Sequence, residues 1–234
     1  MGAVKDPAAG SEIIDELTQR FIQLSFEKFK KIEKDAGLFK NLKKLSIEVE
    51  SIAKKREDII LTQDKIIPGV NSYSNHQERL ADLYKVDHVK MNLKDTDTKA
   101  SGLFPLRRPT QKIEDLRRSL EGSEMTAGVV TIGNFKTAHA QTGFAKNMIE
   151  VLGLDVAELS ADQLTDIDYS KFNLVVISAE EEKYSEVIDE IKKLPVMYKY
   201  IISKTDYGDE VISLYKGCHL FKAFKELSSV SGGL

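Results

Sequence analysis

At 234 residues the chain has room for one large domain or two small ones, and its 41% hydrophobic and 30% charged composition is typical of a soluble globular protein. The net charge of -3 and the absence of Trp give no reason to expect nucleic acid or an anionic membrane as a partner. Cys218 is the only cysteine, which excludes an internal disulfide framework and a cysteine-rich zinc site and fits a reducing compartment. No apolar run approaches the roughly 20 residues that span a bilayer, and the first residues lack the apolar core of a secretory signal.

The N-terminal part of the chain predicts two amphipathic helices. Ser11 is a good N-cap for the first helix, and Gly37 is expected to end it. Apolar residues recur at helical spacing in the first helix, at Ile13, Ile14, Leu17, Phe21, Leu24 and Phe29. The second helix has an apolar stripe from Leu38 to Ile52, opposite a basic face. That face could belong to a membrane-surface helix, but we interpret it as a solvated face over a packed stripe.

A weaker pattern connects these helices to the rest of the chain. The run IIPGVN at residues 66–71 predicts a short strand that leaves through a Pro-Gly turn. Residues 72–110 are polar and weakly periodic, which predicts a linker with one short helix near Gln77 to Tyr84. Ile113, Leu116 and Leu120 then predict a helix that leads to Gly122.

From Gly128 onward, short apolar runs alternate with amphipathic segments. The predicted strands are Val129–Ile132, Asp155–Glu158, Leu174–Ile177, Tyr200–Ser203 and Val211–Leu214, and the predicted helices are Thr142–Leu152, Tyr184–Lys193 and Leu220–Leu227. Such alternation favours a parallel sheet with helices on both faces, because right-handed crossovers place them there. Residues 122–234 are therefore expected to form an α/β domain, a flavodoxin-like five-stranded parallel sheet.

The connection after the first predicted strand contains the candidate site. In an open α/β sheet, ligands bind at the carboxyl ends of the strands. This connection carries Asn134, Lys136, His139 and Gln141. These side chains either hold a cofactor or remain from a cofactor site that has been lost.

The N-terminal half does not contain enough elements to close a core. Two amphipathic helices, one short strand and a linker leave their apolar stripes uncovered. We expect this half to pack on a partner or to be a piece of a larger domain.

Three separate segments resemble one family. The sequence DPAAGSEIIDELTQ at residues 6–19 is similar to the Asp-Pro-x-Ala-Gly-Ser turn and helix near the end of the substrate barrel of methylmalonyl-CoA mutase. SIAKKREDIILTQDKIIPGVNSY at residues 51–73 resembles the closing helix and final strand of that barrel. GNFKTAHAQTGFAKNMIEVLGLDV at residues 133–156 resembles the start of the cobalamin-binding domain, in the degenerate form carried by the small, non-catalytic subunit.

The resemblance implies a division of the chain. Residues 1–73 would be the mostly helical, C-terminal remnant of a TIM-barrel substrate domain, followed by a linker with short helices at 74–121 and the cobalamin-binding-type domain at 122–234. The chain would then be a C-terminal fragment, or the product of a split or truncated gene.

The resemblance also implies that the cofactor site has degenerated. Binding members of the family use an Asp-x-His-x-x-Gly loop, in which the His ligates cobalt and the Asp orients it. Ungapped alignment to the family places Lys136 at the Asp, Ala138 at the His and Gln141 at the Gly, while His139 lies one residue away from the ligand position. Where binding members carry Ser-x-Leu and Gly-Gly turns, this chain has Ser178-Ala179-Glu180, followed by Glu181 and Glu182, and Ser203-Lys204.

The function implied is that of a non-catalytic subunit. It would support a cobalamin-dependent mutase that interconverts methylmalonyl-CoA and succinyl-CoA. The large catalytic subunit, its partner in a heterodimer, would hold adenosylcobalamin, and this chain would bind neither cofactor nor metal. The stripe Ile13, Leu17, Phe21 and Leu24 would contact the rest of the barrel or the partner. No nucleic acid or membrane partner is expected, and the location would be cytoplasmic, or the mitochondrial matrix in a eukaryote.

Two alternatives belong to other functional classes. The first is a stand-alone cobalamin-binding module in which His139 is the cobalt ligand. The second is a receiver-like signalling domain, which needs an acidic cluster where this chain has Gly133-Asn134 and an Asp where it has Ser178.

Overall fold

A computed structural model of the protein describes residues 8–79, 108–133 and 135–229. The α-helices and β-strands are α1 (Glu12–Lys34), α2 (Gly37–Leu61), α3 (Gln111–Leu120), β1 (Ala127–Ile132), α4 (Phe135–Glu150), β2 (Val156–Ala161), β3 (Leu174–Ser178), α5 (Glu181–Lys193), β4 (Tyr198–Ile202), β5 (Ile212–Leu214) and α6 (Leu220–Phe224). Short 3-10 turns follow β2, at Leu164–Asp166 and Tyr169–Lys171, and extend α6, at Lys225–Ser229. None of the described helices is long and apolar enough to cross a membrane.

The five strands form one parallel sheet in the order β2-β1-β3-β4-β5. This is the flavodoxin-like order, in which the chain reverses its winding direction between β1 and β3. The predicted α/β class and the parallel five-stranded sheet are therefore confirmed. All six residues of β1 and all five of β3 are buried, as expected for strands covered on both faces.

The two faces of the sheet carry separate hydrophobic clusters, because successive strand residues point to opposite sides. On one face Val129 and Val176 pack with residues of α3, α4 and α6. On the other face Val130 and Ile177 pack with α5 and with the 3-10 turns after β2. The right-handed crossovers thus place helices on both faces, as the alternating pattern predicts.

Helix α3 belongs to the first of these clusters. Its apolar residues Ile113, Leu116 and Leu120 are buried there, together with Ile60 and Leu61 from the end of α2. The apolar face that the spacing of these residues predicts is therefore the face of α3 that packs on the sheet domain.

The N-terminal helices form a hairpin that is mostly exposed. No residue of α1 is buried, and in α2 only Ile60 and Leu61 are. Two ion pairs join the helices near their turn, Lys28 with Glu48 (2.5 Å) and Lys44 with Asp35 (2.6 Å).

The turn between these helices differs from the sequence prediction. Helix α1 ends at Lys34, and Gly37 is the first residue of α2 rather than the stop of α1. The chain reverses through two consecutive residues with positive φ, Ala36 at 72° and Gly37 at 81°. Gly37 adopts this conformation without a steric penalty, which explains why the pattern breaks there.

The strand predicted at residues 66–71 is wrong. This segment forms tight turns, with a single bridge between Pro68 and Ser72. The reason is the buried side chain of Asn71, which donates to the carbonyls of Ile60 and Lys65 and accepts from the Ile67 N–H. These local bonds compete with a strand ladder for the same backbone groups.

Two side chains of the sheet domain hydrogen-bond to the backbone of the segment after Asn71. Asn147 of α4 accepts from the backbone N–H of Tyr73 (2.6 Å), and Arg117 of α3 donates to the carbonyls of Asn75 and Glu78. The helix predicted near Gln77 to Tyr84 is not present at residues 77–79, and its remainder lies outside the described residues.

Candidate functional site

The candidate site lies at the carboxyl edge of the sheet, between β1 and β3. The connections from these strands run to α4 and α5, which lie on opposite faces, and this arrangement creates the crevice where α/β proteins bind ligands. The side chains that face this edge come from the residues that follow β1, β3 and β4.

The connection between β1 and α4 is shorter than the sequence predicts. Gly133 has a φ of +89°, and α4 begins at Phe135 instead of Thr142. Lys136, Ala138, His139 and Gln141 therefore belong to the first turns of a helix and not to a loop. The physical reason is that one glycine in the left-handed region turns the chain, and residues 135–141 contain neither Gly nor Pro to interrupt a helix.

These four positions differ in what the structure describes of them. His139 is exposed on α4. Gln141 is partly buried, and its Oε1 lacks a hydrogen-bond partner among the described residues. For Lys136 and Ala138 only the place in the helix is described.

A chain of buried hydroxyl groups connects β1, α4 and β3 at this edge. Thr131 Oγ1 lies 2.7 Å from Thr142 Oγ1, and Thr142 donates to Ser178 Oγ at 3.4 Å. All three side chains are at most 2% exposed. Hydroxyl groups that satisfy one another in this way stabilise the approach of α4 to the sheet.

Tyr184 closes the edge between β3 and β4. Its hydroxyl accepts from the N–H groups of Ala179 (2.9 Å) and Ile202 (3.3 Å) and donates to the carbonyl of Ile177 (3.1 Å). The side chain is fully buried, and burial raises the pKa of its hydroxyl to about 12. The phenol therefore stays neutral at physiological pH and hydrogen-bonds to the backbone groups at the strand ends.

Ser203, Glu181 and Thr205 form a second contact above β4. Ser203 Oγ donates to Glu181 Oε1 (2.5 Å), Thr205 Oγ1 donates to the same oxygen (3.2 Å), and the Thr205 N–H donates to Ser203 Oγ (2.9 Å). Glu181 and Glu182 lie in the first turn of α5, where the helix dipole favours acidic residues. Glu181 thus links α5 to the connection after β4.

Lys183 extends from α5 across the carboxyl end of β1. A Cβ placed on Gly133 would meet the Lys183 ammonium and approach its Cε at 3.6 Å. The positive φ is what requires glycine at this position, since the end of the flexible lysine side chain could move away from a Cβ.

The described residues offer no metal site. No group of three or more His, Cys, Asp or Glu side chains in residues 8–79, 108–133 and 135–229 is arranged to hold a metal ion. His219 caps α6, since its Nδ1 accepts from the Lys222 N–H at 3.3 Å, and burial lowers the pKa of its imidazole. Its Nε2 lies 3.8 Å from Asp58 of α2.

Sequence reasoning identified Ser178, Glu181 and Ser203 at the strand ends but missed Thr131, Thr142 and Tyr184. A signal existed for Thr131, the polar residue in an otherwise apolar strand. For Thr142 and Tyr184 the helical period alone does not say which residue reaches the strand ends, because that depends on how the helix packs.

Comparisons with known proteins identify the family of the chain. Residues 1–126 match the family model described as methylmalonyl-CoA mutase. The chain is 24% identical over 216 residues to the methylmalonyl-CoA mutase small subunit of Porphyromonas gingivalis, an alignment that covers 87% of the chain and 33% of that relative. It is also 35% identical over 75 residues to the probable methylmalonyl-CoA mutase small subunit of Mycobacterium bovis, which covers 32% of the chain and 12% of the relative.

The chain therefore spans about a third of the length of the Porphyromonas gingivalis relative, and less of the mycobacterial one. These matches confirm the resemblance to methylmalonyl-CoA mutase that three segments of the sequence indicate.

Proposed function

The chain belongs to the methylmalonyl-CoA mutase family, and we propose that it acts as a non-catalytic, small-subunit-type component of a cobalamin-dependent mutase. The complex would interconvert methylmalonyl-CoA and succinyl-CoA. The large catalytic subunit would bind adenosylcobalamin, which supplies the radical chemistry. This chain would pack against the large subunit in a heterodimer and stabilise it.

The observation that carries this proposal is the chemistry of the carboxyl edge of the sheet. Ala138 stands where the resemblance places the cobalt ligand, and a methyl group cannot ligate a metal. Lys136 stands where it places the carboxylate that orients the ligand, and an ammonium ion cannot accept the hydrogen bond from an imidazole. Above β3 and β4, the Tyr184 ring and the contact between Ser203 and Glu181 occupy the strand ends. A corrin with its nucleotide tail does not suit this arrangement.

The same residues argue against catalysis by this chain. At the edge, the hydroxyl groups of Thr131, Thr142 and Ser178 are buried and hydrogen-bond to one another, so none of them is presented to a substrate as a nucleophile. The buried, free Cys218 is in keeping with a reducing compartment, so the cytoplasm or the mitochondrial matrix is part of the proposal.

The stand-alone cobalamin-binding module is the second candidate. One observation favours it, which is that His139 is exposed on the first turns of α4, next to the crevice. The two candidates differ in whether this imidazole reaches cobalt.

A cobalamin titration separates them. The full chain is titrated with hydroxocobalamin while the visible spectrum is recorded, with His139→Ala and His219→Ala as matched variants. We expect no saturable spectral change with the wild-type chain. A change with micromolar affinity that His139→Ala abolishes and His219→Ala keeps would establish the alternative.

The partner is tested by co-expression of the chain with the large mutase subunit of the same organism. We expect the two to elute together from size-exclusion chromatography in equal amounts and the large subunit to unfold at a higher temperature than when it is alone. Separate elution at micromolar concentrations would contradict the proposed role.

A further inference from the structure

Residues 72–79, here called the strap, lie on the surface of the sheet domain. Two contacts hold the backbone of the strap, one from Asn147 of α4 and one from Arg117 of α3. Neither contact changes with pH near neutrality, because an amide is uncharged and a guanidinium keeps its proton. The third contact is made by the side chain of His76. Imidazole is the side chain that ordinarily changes its charge between pH 5 and 8, so this contact alone of the three responds to pH.

The imidazole of His76 lies between two carboxylates of the sheet domain. Its Nδ1 is 3.9 Å from Oε1 of Glu150, the last residue of α4, and its Nε2 is 3.5 Å from Oδ1 of Asp155, which directly precedes β2. The side chains of His76 and Glu150 are 29% and 20% exposed, whereas that of Asp155 is 89% exposed. The ring therefore joins the strap to both ends of the turn between α4 and β2, and solvent screens the contact to Asp155 more strongly.

Only the protonated ring is complementary to both carboxylates. A neutral imidazole carries one N–H, and its other nitrogen presents a lone pair. Because an ionised carboxylate only accepts hydrogen bonds, the neutral ring directs a lone pair at one of its two acidic neighbours. The imidazolium ion carries an N–H on both nitrogens and a positive charge, so both contacts become attractive. The attachment of the strap at this point therefore depends on a proton.

The other charges around the strap leave an acidic surplus. Lys146 of α4 is a charged neighbour of both carboxylates, but its ammonium contacts Glu158 of β2 at 2.6 Å. Arg117 of α3 has charged neighbours on the strap and at the end of its own helix. Among these described residues the carboxylates outnumber the cations, with Glu78, Glu121, Glu150, Asp155 and Glu158 against Arg79, Arg117 and Lys146. This balance favours a positive charge on His76.

His219, which lies between α2 and α6, responds to acid in the opposite way. Its Nδ1 accepts from the Lys222 N–H and so caps α6. A proton on this nitrogen would remove the acceptor, and burial lowers the pKa of the imidazole. A firmer attachment of the strap at lower pH therefore has to come from His76 and not from His219.

From the position of His76 between Glu150 and Asp155, we propose that the strap is a pH-dependent connection. With a proton on His76, the strap is held on the end of α4 and on the start of β2. Without that proton, one ring nitrogen faces a carboxylate with its lone pair, and the strap detaches more often. The strap is thus held more firmly in mildly acidic than in mildly alkaline solution, and this property does not depend on the proposed mutase role.

Amide hydrogen exchange of the full chain, measured by NMR, tests this proposal. The reporter is the N–H of Tyr73, which donates to Asn147 and is released when the strap detaches. Its protection factor, corrected for the intrinsic pH dependence of exchange, should rise roughly fivefold from pH 8 to pH 5.5, as expected for two partly screened ion pairs. The amides of β1 are the internal reference, because they exchange only when the sheet domain opens.

Matched variants assign the rise to the imidazole and to its two partners. His76→Gln removes the charge and should make the ratio of Tyr73 protection to β1 protection independent of pH. Glu150→Gln and Asp155→Asn should each reduce the rise, and the double variant should abolish it. His139→Gln is the control and should keep the full rise, since His139 lies on the same helix about 16 Å along the axis from Glu150.

Three outcomes would overturn the proposal. The first is a ratio that stays constant with pH in the wild-type chain. The second and third are a rise that persists in His76→Gln or in the double variant of Glu150 and Asp155, because the rise would then come from other groups. None of these measurements uses cobalamin or a mutase partner, so their result is separate from that of the proposed function.

Discussion

The sheet domain and the N-terminal hairpin use similar apolar residues in opposite ways. Leu174 and Val176 of β3 are fully buried, whereas Phe21 of α1 and Phe39 of α2 are among the most exposed of the large apolar residues that the structure describes. The apolar side chains of the sheet domain form two buried clusters. In the two helices of the hairpin, only Ile60 and Leu61 at the end of α2 are buried. An amphipathic pattern therefore predicts a helix equally well in both regions but does not say whether the chain itself covers its apolar face.

The largest expected difference between the two regions is the cost of removing an apolar side chain. Leu174→Ala leaves a cavity between β1, β3 and the helices, and it should lower the free energy of unfolding by about 2–5 kcal/mol. Ile47→Ala removes a side chain that is 72% exposed and should change the free energy of unfolding by less than about 0.5 kcal/mol. Urea unfolding followed by circular dichroism measures both, and equal costs would contradict the comparison.

Asn71 tests the boundary between the two regions. Asn71→Ala leaves the carbonyls of Ile60 and Lys65 and the N–H of Ile67 without their buried partner, which should cost about 1–3 kcal/mol. Asn75→Ala, at an exposed position in the same segment, is the control and should cost less than about 0.5 kcal/mol. Amide hydrogen exchange would show whether protection is lost around Ile67, and unchanged exchange there would contradict the role given to Asn71.

Tyr184 tests the carboxyl edge of the sheet domain. Tyr184→Phe keeps the ring but removes the partner of the Ala179 and Ile202 N–H groups, and it should lower the free energy of unfolding by about 1–2 kcal/mol at neutral pH. Tyr73→Phe, at a side chain that is 75% exposed, is the matched control and should have almost no effect. Similar losses in both variants would mean that the Tyr184 hydroxyl is not needed at the strand ends.

The same tyrosine makes stability depend on alkaline pH. The pKa of Tyr184 is raised to about 12 in the folded chain, while that of an unfolded tyrosine is about 10. Its contribution is therefore fully present below about pH 10 and is lost as the pH rises through about 12, because the unfolded chain loses the proton first. Unfolding midpoints measured from pH 9 to 12 should fall less steeply in Tyr184→Phe than in the wild type, and parallel curves would contradict this.

The smallest effect is expected at a surface ion pair of the sheet domain. Lys146 of α4 contacts Glu158 of β2 at 2.6 Å, but both side chains are largely in solvent. Lys146→Ala should therefore change the free energy of unfolding by no more than about 0.5 kcal/mol. The difference should shrink further in 1 M salt, and a salt-independent loss would show that the lysine stem matters more than its charge.

The candidate site was partly readable from the sequence. The predicted strand ends place Ser178 and Ser203 at one edge, and the resemblance predicts that Lys136, Ala138 and Gln141 replace the residues of a cofactor loop. The helical state of those three positions was not, because a single left-handed glycine at 133 shortened the connection. Tyr184 and Thr142 were missed because their roles depend on how α5 and α4 pack on the sheet.

By itself the sequence determined the alternation of strands and helices, the parallel sheet, the family resemblance and the identity of Ala138 at the position that the resemblance compares with a cobalt ligand. These properties follow from local periodicity and from residue identity at single positions. Only the tertiary structure decided that Asn71 replaces a strand with turns, that α3 packs on the sheet while no residue of α1 is buried by the described part of the chain, and that Tyr184 and Lys183 lie over the strand ends. Each of those outcomes depends on which distant groups meet, and no local pattern specifies that.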